Sequence, residues 1–134
     1  MGRSLSEIYA EVKRIAQSAG MTDYPRPEDR RQEDRDWLEK DIFGRFSRHY
    51  MERGQVSELT RGDYDTVLFE VFRSLTQSKA GDIELRQRIP GEDSRRQWFA
   101  IQADLMAGLK PEWADRIKAS QASTLARHPF VDDQ

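Results

Sequence analysis

Two short stretches have the composition of an anion site. Residues 28 to 32 read Glu28-Asp29-Arg30-Arg31-Gln32 and residues 92 to 97 read Glu92-Asp93-Ser94-Arg95-Arg96-Gln97. Each is expected at a helix start, where unpaired backbone N–H groups and the positive end of the helix dipole favour negative charge. Adjacent guanidinium groups would add paired hydrogen bonds to phosphate or carboxylate oxygens. Arg30, Arg31, Arg95 and Arg96 are therefore the anion or nucleic-acid candidates. Each pair also sits beside two acids that compete for it, so the opposing reading is that Glu and Asp complement the dipole while the arginines stay solvated.

A second group is aromatic. Trp37, Phe43, Phe46 and Tyr50 recur at a spacing that would form one helical stripe, with Arg45 and Arg48 interleaved. Tryptophan, tyrosine and arginine dominate binding hot spots, which makes Trp37, Arg45, Phe46, Arg48 and Tyr50 the partner-binding candidates. The competing reading places such a stripe in a core.

Other chemistry has little material. The chain has no cysteine, which removes disulfides, thiolate nucleophiles and sulfur-ligated metals. His49 has Glu52 and Asp41 nearby in sequence, but zinc requires three or four ligands, so no metal and no cofactor are expected. No carboxylate lies in an apolar run that would raise its pKa for acid–base work. Phosphate-binding glycine loops, nucleophile elbows and zinc-protease motifs are missing from the sequence. The expectation is a protein without enzymatic activity.

Composition sets the outer bounds. The 134 residues fit a single domain, and 22 basic against 24 acidic residues give a net charge of −2, which does not favour nucleic acid. Arginine outnumbers lysine 17 to 5, a bias that suits ion-pair networks or an anionic ligand. No apolar run approaches the roughly 20 residues of a membrane-spanning helix. The start, Met-Gly-Arg-Ser-Leu-Ser-Glu, has no signal-peptide apolar stretch, so a soluble cytoplasmic protein is expected.

The elements that would position these residues read as helical throughout. Leu5, Ile8, Tyr9, Val12, Ile15 and Ala16 share one face of a first helix, with Ser4 and Glu7 as a capping box and Gly20 as its stop. A second, long helix is predicted from Pro27 to Arg53, with a charged front from Glu28 to Asp36 that burial cannot hold. Thr60 or Asp63 would cap a third helix carrying Tyr64, Val67, Leu68, Val71, Phe72 and Leu75 and ending at Gly81. A fourth begins near Asp93 or Ser94, and Pro111 opens a last one that ends near His128-Pro129.

The stretch 11–20 (EVKRIAQSAG) is echoed by 70–81 (EVFRSLTQSKAG), and each is followed by an acid–arginine element and a tryptophan. The expected architecture is all-α: a five- or six-helix bundle in one domain spanning residues 1–134. Its internal repeat would comprise two helical hairpins, 4–54 and 60–109, followed by a C-terminal helix over 111–127. The function this points to is a helical protein-interaction module, a small subunit, adaptor or inhibitor that binds another protein or itself. The alternative is a nucleic-acid-binding subunit using the duplicated arginine pairs, and a lesser one is catalysis by His49 with a neighbouring carboxylate.

Overall fold

A computed structural model describes residues 2–133. The elements run α1 (Leu5–Ser18), a 3-10 turn (Pro27–Asp29), β1 (Asp36–Lys40), β2 (Phe46–Glu52), β3 (Gln55–Gly62), α2 (Tyr64–Arg86), α3 (Arg95–Leu109) and α4 (Pro111–Arg127). The fold is therefore α+β, four helices with a three-stranded antiparallel sheet, and the all-α helical bundle expected from the sequence is wrong. Two compact units divide the chain within α2, one running to Val71 and the other starting at Phe72.

In the first unit, α1 is the helix the sequence predicts. Ser4 accepts the N–H of Glu7 (3.1 Å), and the Glu7 carboxylate accepts the N–H of Ser4 (3.2 Å), pairing two donors that a helix start leaves open. Ile8, Tyr9, Val12, Ile15 and Ala16 are buried.

The predicted long helix from Pro27 to Arg53 does not exist. Its charged front forms the 3-10 turn and a loop through 35, and the rest forms β1 and β2. Two glycine-bearing turns decide this. Arg53 and Gly54 have φ of 52° and 74°, the left-handed pair of a two-residue hairpin loop whose twist matches that of the strands. Gly44, at φ 83°, closes the other loop.

The sheet order is β1-β2-β3. Trp37 opposes His49, Leu38 opposes Arg48 and Lys40 opposes Phe46; on the other side Ser47 opposes Arg61 and Phe46 opposes Gly62. Arg48 faces Thr60 while His49 faces Glu58, which leaves Leu59 as the extra residue of a β-bulge. The outer edge of β1 is occupied at Leu38, whose N–H donates to the Tyr9 hydroxyl (2.7 Å) while that hydroxyl donates to the Leu38 carbonyl (3.1 Å). Burial pushes the Tyr9 phenol above its ordinary pKa. No strand pairs with the outer edge of β3 among the described residues, and its residues from Gln55 to Leu59 are exposed.

In the second unit, Phe72 of α2 stacks on Trp113 of α4 with ring centroids 5.6 Å apart. Gln102 of α3 donates to the Arg73 carbonyl (3.0 Å) and the Thr76 hydroxyl (3.3 Å). Gly81 does not stop α2, which continues to Arg86. A Cβ at this position would lie 3.0 Å from the Trp98 ring, and the Trp98 indole N–H is fixed on the Gln77 carbonyl at 2.8 Å. Glycine here makes room for a ring.

The duplicated helical hairpins fall with the bundle. Both echoing stretches are helical, but Trp37 follows the first on a strand and Trp98 follows the second on a helix.

Candidate partner-binding surface

Among the described residues, the large exposed apolar side chains of the first unit lie on the sheet's hairpins. Ile42 is 93% exposed and Phe43 84%, and on β3 Val56 and Leu59 are partly open. Ile42 and Phe43 occupy the tip of the β1–β2 hairpin, a three-residue loop completed by Gly44.

Asp41 builds that tip. Its backbone N–H donates to the Arg45 carbonyl (2.9 Å), and its own carbonyl accepts the N–H of Gly44 (3.2 Å). Its side chain, through one oxygen, accepts the N–H groups of Phe43 (2.9 Å) and Arg45 (3.0 Å), the local bonding that suits aspartate to turns. The other oxygen takes the Arg61 guanidinium at 2.6 Å, and Arg61 also pairs with Glu58 at 2.6 Å. The Arg45 N–H, reinforced by that of Phe43 and the charge of Arg61, holds the Asp41 carboxyl below its ordinary pKa despite some desolvation. The tip is thus tied to β3 and held in one shape.

The five partner-binding candidates separate. Trp37 is fully buried, stacked on His49 with centroids 5.8 Å apart, its indole N–H donating to Glu39 at 2.7 Å. Phe46 is also interior and meets Tyr64 edge-on at 5.5 Å. Arg48, half-buried, pairs with Asp36 at 3.0 Å. Tyr50 is half-buried, with its hydroxyl on Asp34 at 3.5 Å. Arg45 remains exposed, and its guanidinium makes no hydrogen bond or salt bridge among the described residues. Ile42 and Phe43, the most exposed large apolar pair among the described residues, are not among the five partner-binding candidates. The signal that could have found them was Asp-x-x-Gly, a turn signature, directly around them.

The two arginine pairs are not equivalent. Arg30 and Arg31 follow the 3-10 turn, exposed, with Arg31 at φ 57°. Arg95 and Arg96 open α3 and are engaged by the chain's own C-terminal segment. Arg95 donates to the carbonyls of His128 and Pro129 (both 2.8 Å) and pairs with Asp93, while Arg96 pairs with Asp132 at 3.0 Å. Arg96 also lies 4.3 Å over the Phe130 ring.

His49 accepts from or donates to the Ser47 hydroxyl at 2.8 Å. No group of three His, Asp or Glu side chains that could hold a metal ion is present among the described residues. No helix among them is long and apolar enough to cross a membrane. An open cleft of about 280 Å³ is lined by Tyr9, Lys13, Tyr24, Arg26, Pro27 and Glu28, among others.

Fold and surface together define an α+β protein that presents an exposed β-hairpin tip, hydrogen-bonded through Asp41. The chain belongs to the Immunity protein 63 family, whose match covers residues 44–123, 80 of the 134 residues. That stretch takes in β2, β3, α2, α3 and most of α4. No curated protein and no solved structure matches the chain.

Proposed function

We propose that this protein is an immunity protein that acts without catalysis, by binding a toxin and blocking its activity. The observation that carries this reading is membership of the Immunity protein 63 family. The exposed hairpin supports it, because an inhibitor acts through the surface it offers. Of the three roles compatible with a protein-interaction module, inhibitor is the one the family favours over subunit or adaptor.

The test is co-expression with candidate toxin polypeptides of the native host, taken one at a time, each chosen because it arrests growth when expressed alone. Cells carrying both should grow, cells carrying the toxin alone should not, and the two purified polypeptides should elute as one complex of fixed stoichiometry. Growth arrest with every candidate in the presence of the folded protein, with no complex formed, would sink the proposal. Protection at catalytic, far substoichiometric amounts would instead indicate an enzyme acting on the toxin.

A further inference from the structure

We infer that the β1–β2 tip is a preformed plug: Ile42 and Phe43 enter an apolar pocket of the toxin while Arg45 meets a carboxylate on its rim. This rests on the toxin-binding reading above.

The first support is that the turn does not need these side chains. Its geometry needs a left-handed residue at Gly44 and an acceptor at Asp41. Residues 42 and 43 could be any polar pair, as turn tips ordinarily are. They are instead isoleucine and phenylalanine, almost wholly in water. Phenylalanine is among the residues enriched at protein interfaces, and interfaces concentrate their energy in an anchor buried at the centre of a polar rim.

The second support is preorganisation. Ordering a loop on binding subtracts from affinity, and a loop already fixed avoids that loss. Here Asp41 fixes two amides of the turn, and Arg61 fixes Asp41.

Charge selects the occupant. Around the tip, Arg61 is neutralised by Asp41 and Glu58, and the Lys40 ammonium donates to the Arg3 carbonyl at 2.6 Å. Arg45 makes no salt bridge and no side-chain hydrogen bond among the described residues and stands only in a longer-range attraction to Asp41, which Arg61 already holds at 2.6 Å, so the pocket that receives the tip should carry a carboxylate at its edge. A second copy of this chain fits poorly, since its cleft beside Tyr24 offers Lys13 and Arg26 against the single acid Glu28.

The test is calorimetric titration of the protein with an inactive variant of the toxin polypeptide against whose growth arrest it protects. Replacing both side chains, Ile42→Ser with Phe43→Ser, should weaken binding by about 30-fold or more, as expected for hot-spot loss. The melting midpoint should be unchanged, because both side chains are exposed. Arg45→Glu should weaken binding on its own, whereas Arg45→Lys should retain most of it. If the wild type binds and the double variant binds within about threefold of it, below hot-spot magnitude, the plug is overturned and the inhibitor function stands. If the folded wild type does not bind at all, both fall together. Flotation with phosphatidylcholine–phosphatidylglycerol vesicles that carries the wild type but not the double variant would reassign the tip to a membrane and overturn the plug.

Discussion

At the scale of single residues, the hairpin tip depends on Asp41. One oxygen of its carboxylate serves the turn and the other meets Arg61, so Asp41→Ala removes two amide acceptors and one ion pair together. The Phe43 and Arg45 amides should then exchange with solvent markedly faster by NMR, while amides in α1 keep their protection. Affinity for the toxin should fall although no contacting side chain has changed, because the loop must now be ordered on binding. Unchanged exchange at Phe43 would show that the strands alone set the loop. The sequence offers Arg45 as a partner-binding candidate, and the structure leaves it exposed. It grouped Arg45 with Trp37 and Phe46 because a helical stripe was assumed, and in a hairpin those two turn inward.

At the scale of elements, helical period and capping chemistry found α1, the body of α2, α3 and α4, with α1 correct to its cap. The same reasoning failed over 27–62 for a physical reason. Trp37 and Leu38 are adjacent and both buried, so β1 shows no alternation of apolar and polar residues, which is the signature of a strand with one dry face. On β3 the residues from Gln55 to Leu59 are exposed on both faces, again without alternation. What is legible there is the turns: Gly44, with φ of 83°, ends one loop and Gly54, with φ of 74°, ends the other. Gly81 is the reverse case, expected as a helix stop and found inside α2. Alanine usually stabilises a helix by about 1 kcal/mol over glycine, but here Trp98 occupies the space. Gly81→Val should lower the stability of the protein by about 1–3 kcal/mol, the range for overpacking. Urea unfolding measures it, and a midpoint equal to the wild type would mean that Trp98 moves aside freely.

At the scale of the whole molecule, the family stretch ends at residue 123, and the chain beyond it finishes as a strap on the second unit. The strap is polar. The Val131 N–H donates to Asp93 (2.9 Å), the Asp93 N–H to Asp132 (2.8 Å), and the Asp133 N–H to the Gly91 carbonyl (2.9 Å), with Arg95 and Arg96 clasping the carbonyls and carboxylate between them. Asp93 is held far below the usual carboxylate range, first by the Arg95 side chain and then by the N–H groups of Val131 and Arg95; Asp132 is lowered first by Arg96. A carboxyl whose pKa is depressed in the folded state adds stability above its unfolded value, about 3.9, and loses that contribution as pH falls from there toward the native value. The contribution of these carboxylates to the strap is therefore complete at neutral pH and is lost only as pH falls below about 3.9. Asp93→Asn removes the Asp93 charge at pH 7, so carboxypeptidase should trim the variant from its C-terminus back to His128 much faster than the wild type. Equal trimming would show that the strap does not depend on Asp93. Because the plug lies in the other unit, a chain ending after Arg127 should bind the toxin as tightly as the full chain, and a loss of affinity on that truncation would mean that the strap contributes to recognition.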